Sequence, residues 1–431
     1  MTWTDGYITD IAYPGFFYKE MQPLWLATTA TVRGFSAPEV AGAFEACELG
    51  CGTATNLLVA AACHPHARFT GVDFNEAHLA IARKAADACG LRNVTFVHAD
   101  FAAFGRANTR QFDFVTSHGV WSWVAPRQRA ALMDCAARSL KPRGLLYLHY
   151  MCHPGSTTIL PLQHMMNLAA HHMPGDSRRK AQTGLKLLEQ LAALDALAGH
   201  PAMRRHLANM ARRDPADLAH EFLSDHWEPQ HSVDVHQQAS DAGLHLIGSA
   251  DAFDNLDVSL SIPGKLQPLI RKTTVPALAE ALKDMARGAH QRMDLFQKSP
   301  VPLAREALLT TVGGIAFRLL PGAPARGPIT FRTPIGPITG PAAVFTPLLE
   351  RLARRAATVA ELMRLPSFGD DPGGLLQSLQ LLMMGQIAHP ALPGDVDGAA
   401  AALLARWYER NGIALTLVDA CGTAVVPAGP A

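Results

Sequence analysis

Between residues 43 and 150 the chain alternates short apolar stretches with amphipathic ones, and this alternation leaves few folds open. Ala43–Leu49, Arg68–Val72, Val94–His98, Phe112–Ser117 and Gly144–Tyr150 read as strands, with helices at Thr55–Cys63, about Asn75–Cys89 and Arg127–Leu140. Strand, helix and strand at these spacings make right-handed crossover units, so the strands lie parallel in a sheet covered on both faces. The fold class expected is α/β, a Rossmann-like parallel sheet with further domains appended.

The flanking sequence has other rhythms. Aromatic residues crowd the start (Trp3, Tyr7, Tyr13, Phe16, Phe17, Tyr18, Trp25), and a helix is expected from Pro23 to Arg33, stopped by Gly34. From Thr158 to Phe222 the pattern is helical, with breaks at Pro174-Gly175 and Gly199–Pro201. Eight Lys/Arg against two acids between Arg178 and Arg213 make a local +6, read as a solvated helix face or as a docking surface for an acidic partner. Leu244–Ile247 reads as a strand free to return to the core sheet, and Pro263 to about Phe296 as helix. Ile315–Leu320 and Ile329–Thr333 read as strands of a small sheet, followed by helices over Ala342–Tyr408 and a hairpin, Ile413–Val418 with Thr423–Val426, turning at Cys421-Gly422. The expected domains are an N-terminal cap (1–40), a core (41–157), a mostly helical middle domain (158–300) and a small α+β C-terminal domain (301–431).

Composition narrows the function classes. With 431 residues, 48% hydrophobic and 17% charged, the chain has apolar material for several packed cores. A net charge of +1 gives no global support for nucleic acid as a partner. Seven scattered cysteines without a CxxC pair fit a reducing compartment. No leader-like start and no apolar run near the ~20 residues of a membrane span are present, so a cytoplasmic, non-membrane protein is expected. Without HExxH or paired CxxC, no metal site is expected among the 19 histidines.

The loop after the first strand carries the chemistry. Glu48-Leu49-Gly50-Cys51-Gly52-Thr53-Ala54-Thr55 turns a strand into a helix, with glycines that let a ligand lie against the backbone. Asp73 follows 23 residues after Gly50, at the second strand end, where a carboxylate accepts both ribose hydroxyls. Asp100 stands at the third, placed for an adenine amino group. Thr55 occupies the last position of the dinucleotide fingerprint, and Glu48 repels a pyrophosphate but suits a cationic ligand. A nicotinamide enzyme is thereby disfavoured, and S-adenosylmethionine is the expected cofactor. Ala54 replaces a usual glycine, which is tolerable at negative φ.

E-x-G-x-G-T with these two aspartates resembles the class I methyltransferases. Gly6–Tyr13 with Phe17–Pro23, Ser117–Val124, His149–Gly155, His220–Leu223, Asp241–Leu244 with Gly248–Asp251, and Arg292–Phe296 resemble, more narrowly, methyltransferases carrying a methyltransferase regulatory domain. The chain departs from that pattern at Met151, where the family has Asn, and at His290-Gln291, where it has Phe-Arg. The family includes bacterial protein-lysine methyltransferases. The resemblance implies methyl transfer to N or O of a protein, a lysine for instance, or of a small molecule. It also implies that the first segment folds over the cofactor, making Tyr7, Tyr13 and Tyr18 pocket residues.

The cofactor contacts expected are Glu48, Gly50, Cys51, Gly52, Asp73, Phe74, Asp100, Phe101, His118 and Tyr18, with His118 and Tyr150 as candidate catalytic groups. A lysine acceptor, with a pKa of ~10.4, is neutral in only about one molecule in two thousand at pH 7, so a base or a desolvating pocket is required. The alternative of another class is a catalytically weak, cofactor-binding interaction protein. The acceptor and the choice between monomer and homodimer stay open.

Overall fold

The computed structural model describes residues 5–256, 260–394 and 397–427; Trp3 lies outside them. Its centre is a seven-stranded sheet: β1 (Glu45–Leu49), β2 (Arg68–Asp73), β3 (Val94–His98), β4 (Phe112–Ser117), β5 (Leu140–Met151), β6 (Leu244–Ser249) and β7 (Gln291–Lys298). The order is β3-β2-β1-β4-β5-β7-β6. β1 to β5 are parallel, as the alternation predicts, and β7 is antiparallel to both neighbours. The order reverses between β1 and β4, which opens a crevice at their carboxyl ends.

Helices α1 (Pro23–Val32), α2 (Thr55–Cys63) and α3 (Glu76–Ala88) pack on one face. On the other lie α4 (Phe101–Ala107), α5 (Pro126–Ser139) and, later in the chain, α10 (Ser232–Asp241). The short helix α4, capped by Asp100, has only Phe101 and Phe104 buried and no long apolar period to announce it. Above the carboxyl ends a layer of α6 (Leu160–His172), α7 (Ser177–Ala193), α8 (Pro201–Met210) and α9 (Pro215–Phe222) closes on Tyr7, Ile8, Ile11 and Trp123.

Two expectations need correction. The span from Pro263 to Phe296 is helical only in part: α11 (Gln267–Lys272) and α12 (Pro276–Arg287) precede β7, which joins the sheet beside the expected strand β6. β7 buries two charged residues, Arg292 and Asp294, because they pair with each other. Asp294 accepts hydrogen bonds from Arg292 Nε at 2.9 Å, Tyr150 Oη at 2.5 Å and His236 Nε2 at 2.7 Å. Arg292 also reaches Asp284 at 2.6 Å and Glu280 at 2.8 Å. One ion network thus ties β5, β7, α10 and α12 together.

The second correction concerns the C-terminal region. It holds α13 (Arg305–Gly314), α14 (Ala342–Arg354), α15 (Val359–Leu362), α16 (Pro372–Met384) and α17 (Ala399–Arg410). β8 (Ala316–Leu319) and β9 (Ile329–Thr333) do not share a sheet: β9 pairs with β10 (Gly336–Gly340), and β8 lies between β11 (Ala357–Thr358) and β12 (Ala388–Pro390). The final hairpin is as expected, β13 (Thr416–Val418) against β14 (Thr423–Val425), with Gly422 at φ +60 in its turn. α17 and β14 cover α2, all nine of whose residues are buried. The Tyr408 hydroxyl donates to the Thr55 carbonyl at 3.1 Å, so this region braces the first turn of the helix that follows the Gly50 loop.

Removing Asp294 leaves the buried Arg292 guanidinium with two of its three acidic partners and strips the Tyr150 hydroxyl of its acceptor. Asp294→Ala is therefore expected to cost about 3–5 kcal/mol, read as a lowered denaturation midpoint in urea.

Candidate active site

The Gly50 loop is shaped by backbone constraints. Gly50 sits at φ +78 with Val120 Cγ2 only 2.4 Å from where a Cβ would stand. The Gly50 and Cys51 amides donate to the Val72 carbonyl at 2.8 and 3.1 Å, fastening the loop to the end of β2. Ala54, however, lies at φ +60 rather than at negative φ. An alanine there carries about 1–2 kcal/mol of strain, which the packed surroundings hold in place.

Asp73 organises the crevice. Its Oδ2 accepts the Gly52 amide at 2.7 Å and its Oδ1 the Asn75 amide at 2.8 Å. Burial raises its pKa while these two amides, Asn75 first, pull it back. Glu48 is buried beside it and carries a pKa pushed up to about 8, first by burial and then by the charge of Asp73. Asp100 lines the same pocket while its Oδ1 caps α4 through the Ala103 amide at 2.6 Å.

The pocket encloses about 1010 Å³ including its mouth, and all ten expected contact residues line it. Its roof is the N-terminal segment: Tyr7, Tyr13, Pro14, Phe16 and Tyr18 face inward. Hydrogen bonds along its length hold this segment down. The Ser177 amide donates to Asp10 at 2.8 Å, His220 Nε2 to the Ile11 carbonyl at 3.2 Å, the Tyr13 amide to His78 at 3.1 Å and the Tyr18 amide to Asn56 at 2.7 Å.

The wall between β4 and β5 is a column of rings. Tyr18 stacks on His118 at 3.6 Å, His118 on His149 at 3.9 Å, and Trp123 lies beyond His149 at 5.9 Å. His118 Nδ1 meets the Tyr147 hydroxyl at 2.7 Å. Burial, then the neighbouring His149, drives the His118 pKa well below the usual histidine range, so the ring is neutral and weakly basic. His149 is also neutral, near 4 from burial, its Nδ1 accepting the Gly119 amide at 3.2 Å.

Tyr150 is not part of this site. Side chains alternate along a strand, so Tyr147 and Tyr150 point to opposite faces; Tyr150 is fully buried in the α5–α10 face and bonded to Asp294. His149 and Met151, one position to either side, are the β5 residues that line the cavity next to the crevice.

Beyond the ring column lies a second cavity, bounded by Tyr7, Tyr13, Tyr18, His118 and Gly119 of the first. Its far wall comes from the helical layer and β7: His206, Asn209, Met210, Arg213, Asp217, His220, Glu221, His290 and Gln291. Arg213 binds Asp217 at 2.6 and 2.9 Å and Glu221 at 3.1 Å. Two carboxylates thus share one guanidinium. Burial raises the Glu221 pKa, opposed by Arg213. Burial also lowers the pKa of His118, His149, His206, His220 and His290, leaving the cavity's imidazoles neutral. The sequence motif His220-Glu221 gives no sign of this proximity, because α9 stands about a hundred positions from β4.

Residues 46–144 match the family described as "Methyltransferase domain", and residues 214–298 match "Predicted methyltransferase regulatory domain". The chain is an S-adenosylmethionine-dependent methyltransferase with a regulatory domain. A protein of Synechocystis sp., itself uncharacterised, is 28% identical over 91% of this methyltransferase and 78% of the relative. Another, from Rickettsia prowazekii, is 32% identical over 41% of this chain and 32% of its own. In fold it resembles PKMT2 from Rickettsia typhi, solved in complex with AdoHcy, with a TM-score of 0.67 and 18% identity over 88% of this chain and 77% of that one.

S-adenosylmethionine is the methyl donor, and the residues present fit it. A buried acid held protonated by desolvation is matched by a cationic ligand, and a strand-end carboxylate by a ribose. With no cation beside it, Glu48 keeps its proton up to about pH 8. A cation favours the carboxylate, so binding expels that proton and affinity rises with pH until Glu48 is already ionised. Calorimetry near pH 7 in buffers of different ionisation enthalpy is expected to show proton release by the wild type and a smaller release by Glu48→Gln. Asp73→Ala is expected to weaken S-adenosylhomocysteine binding by about 1.5–3 kcal/mol in the same titration.

Proposed function

We propose that this methyltransferase modifies an amine nitrogen, a lysine side chain of a protein, delivered through the second cavity. The observation that carries the reading is the chemistry of that cavity: Glu221 and Asp217 share Arg213, the imidazoles are neutral, and Tyr13, Tyr18, Trp123 and Phe222 supply aromatic faces. Excess carboxylate with aromatic rings suits an ammonium group and disfavours an anionic acceptor.

In this reading Glu48 faces the cationic methionyl end of the cofactor, Asp73 the ribose, Asp100 the adenine, and Phe74 and Phe101 flank the base. Gly50, Cys51 and Gly52 provide the backbone against which it lies, and Tyr18 and His118 stand where the cavities meet. S-adenosylmethionine, when bound, supplies an electrophilic methyl group. The protein positions the amine in line with it and removes a proton. Desolvation favours a neutral amine beside a protonated carboxyl over the ion pair, so Glu221, its pKa raised by burial, accepts the lysine proton. His118 is too weak a base for that task and serves as a rigid wall.

The domains follow from these roles: residues 1–40 cap the cofactor, 41–157 hold it, 158–300 build the acceptor side and 301–431 brace the core. The departures at Met151 and at His290-Gln291 both fall in the lining of the second cavity and leave the cofactor pocket intact.

The test is transfer of labelled methyl to lysate proteins followed by hydrolysis to amino acids. Label in methylated lysine is expected; label confined to small molecules or to carboxyl esters contradicts the reading. Glu221→Gln is expected to lower kcat/KM for the acceptor by about 10²–10⁴-fold while leaving S-adenosylhomocysteine affinity within about twofold.

A further inference from the structure

The acceptor cavity is acidic within, yet the helix forming its outer wall is basic outside. On α8 and the turn beyond it, His206, Asn209, Met210 and Arg213 recur at the three- and four-residue spacing of one helix face and line the cavity. Arg204, Arg205 and Arg212 fall off that face and are exposed. Residues 196–213 contain no acid at all. Arg205 directly precedes His206 of the cavity wall, and its charge, after burial, lowers the pKa of that imidazole. Arg204 and Arg205 take part in no ion pair among the described residues, and Arg212 bonds only the neutral Asn209, at 2.5 Å. In the neighbouring helix α7, exposed Arg179 and Lys186 continue the positive surface, while Arg178 is partly offset by Asp214 at 3.7 Å.

The geometry points to a docking surface for an acidic protein segment: the lysine that enters the cavity is flanked by Asp or Glu residues, which Arg204, Arg205 and Arg212 engage. This rests on the amine-acceptor reading above. The two charge patterns then divide the work. The inner carboxylates select the ammonium group, and the outer arginines select the chain that bears it. A surface of free guanidiniums raises encounter rates with an acidic partner and loses this advantage in salt. Nucleic acid fits less well, since a phosphate chain at the rim would bring no cation to the carboxylates inside.

The experiment uses the full-length enzyme, labelled S-adenosylmethionine and two single-lysine peptides, one flanked by Asp and Glu, the other by Ser and Gly. At low salt kcat/KM for the acidic peptide is expected to be about tenfold higher, and the preference is expected to vanish in about 0.5 M salt and in the R204E/R205E/R212E variant. That variant is expected to keep wild-type cofactor affinity and wild-type kcat on the neutral peptide, which shows that it folds. Equal kcat/KM for the two peptides, or a preference that survives charge reversal, overturns the docking surface but leaves the amine reading standing. Transfer to neither peptide, with cofactor still bound, overturns both. Retention of a single-stranded RNA by the wild type but not the variant, alongside indifference to peptide charge, assigns the arginines to nucleic acid and overturns the proposal.

Discussion

The Asp73 carboxylate accepting the Gly52 amide is the contact on which the rest of the crevice depends. It joins the end of β2 to the loop after β1 across the 2.7 Å of one charge-assisted hydrogen bond. The loop can be held this way because Gly50 and Gly52 adopt positive φ, and because Ala54 does so at a cost that packing absorbs. From that fixed point α2 starts in a constant place, and the Tyr408 hydroxyl fastens its first turn from outside. Asn56 and His78, on helices anchored on the same side, then hold down the roof through the Tyr18 and Tyr13 amides. A chain of short polar contacts thus runs from the sheet to the C-terminal region without leaving the pocket wall.

In the proposed reading the two cavities divide the reaction between different stretches of chain. The donor side comes from the first 130 residues. The acceptor side needs α8, α9 and β7, drawn from the middle of the chain and folded back over the same sheet edge. The region matched as a regulatory domain therefore supplies α9 and β7 residues to the lining of the second cavity. His220 makes the link physical, since its ring holds the Ile11 carbonyl of the roof while Glu221, next in sequence, faces the acceptor cavity.

What could be read from sequence follows from whether a local pattern carries it. β3, β4 and α2 were legible to the residue, because their apolar runs are bounded by turn residues and nothing charged is buried in them. Nine of the ten crevice residues were legible because strand ends and the glycine loop converge by topology alone, while Tyr18 was reached only through the family resemblance. β7 was not: Arg292 and Asp294 sit inside it, and no periodic signal reveals that each neutralises the other. Tyr150 was chosen over His149 by one position, where strand parity decides which side chain reaches the crevice. Glu221 and Arg213 were invisible as site residues, since their proximity to His118 exists only after the helical layer closes.

In the proposed reaction a donor and an amine meet at Tyr18 and His118 with Glu221 beside the amine. A crystal structure of the enzyme with S-adenosylhomocysteine and a lysine peptide tests it most directly. The lysine nitrogen is expected in the second cavity, about 3–3.5 Å from where the methyl group would stand and within hydrogen-bond reach of Glu221. A peptide reaching the sulfur by another route, with Glu221 facing solvent or protein alone, would contradict it.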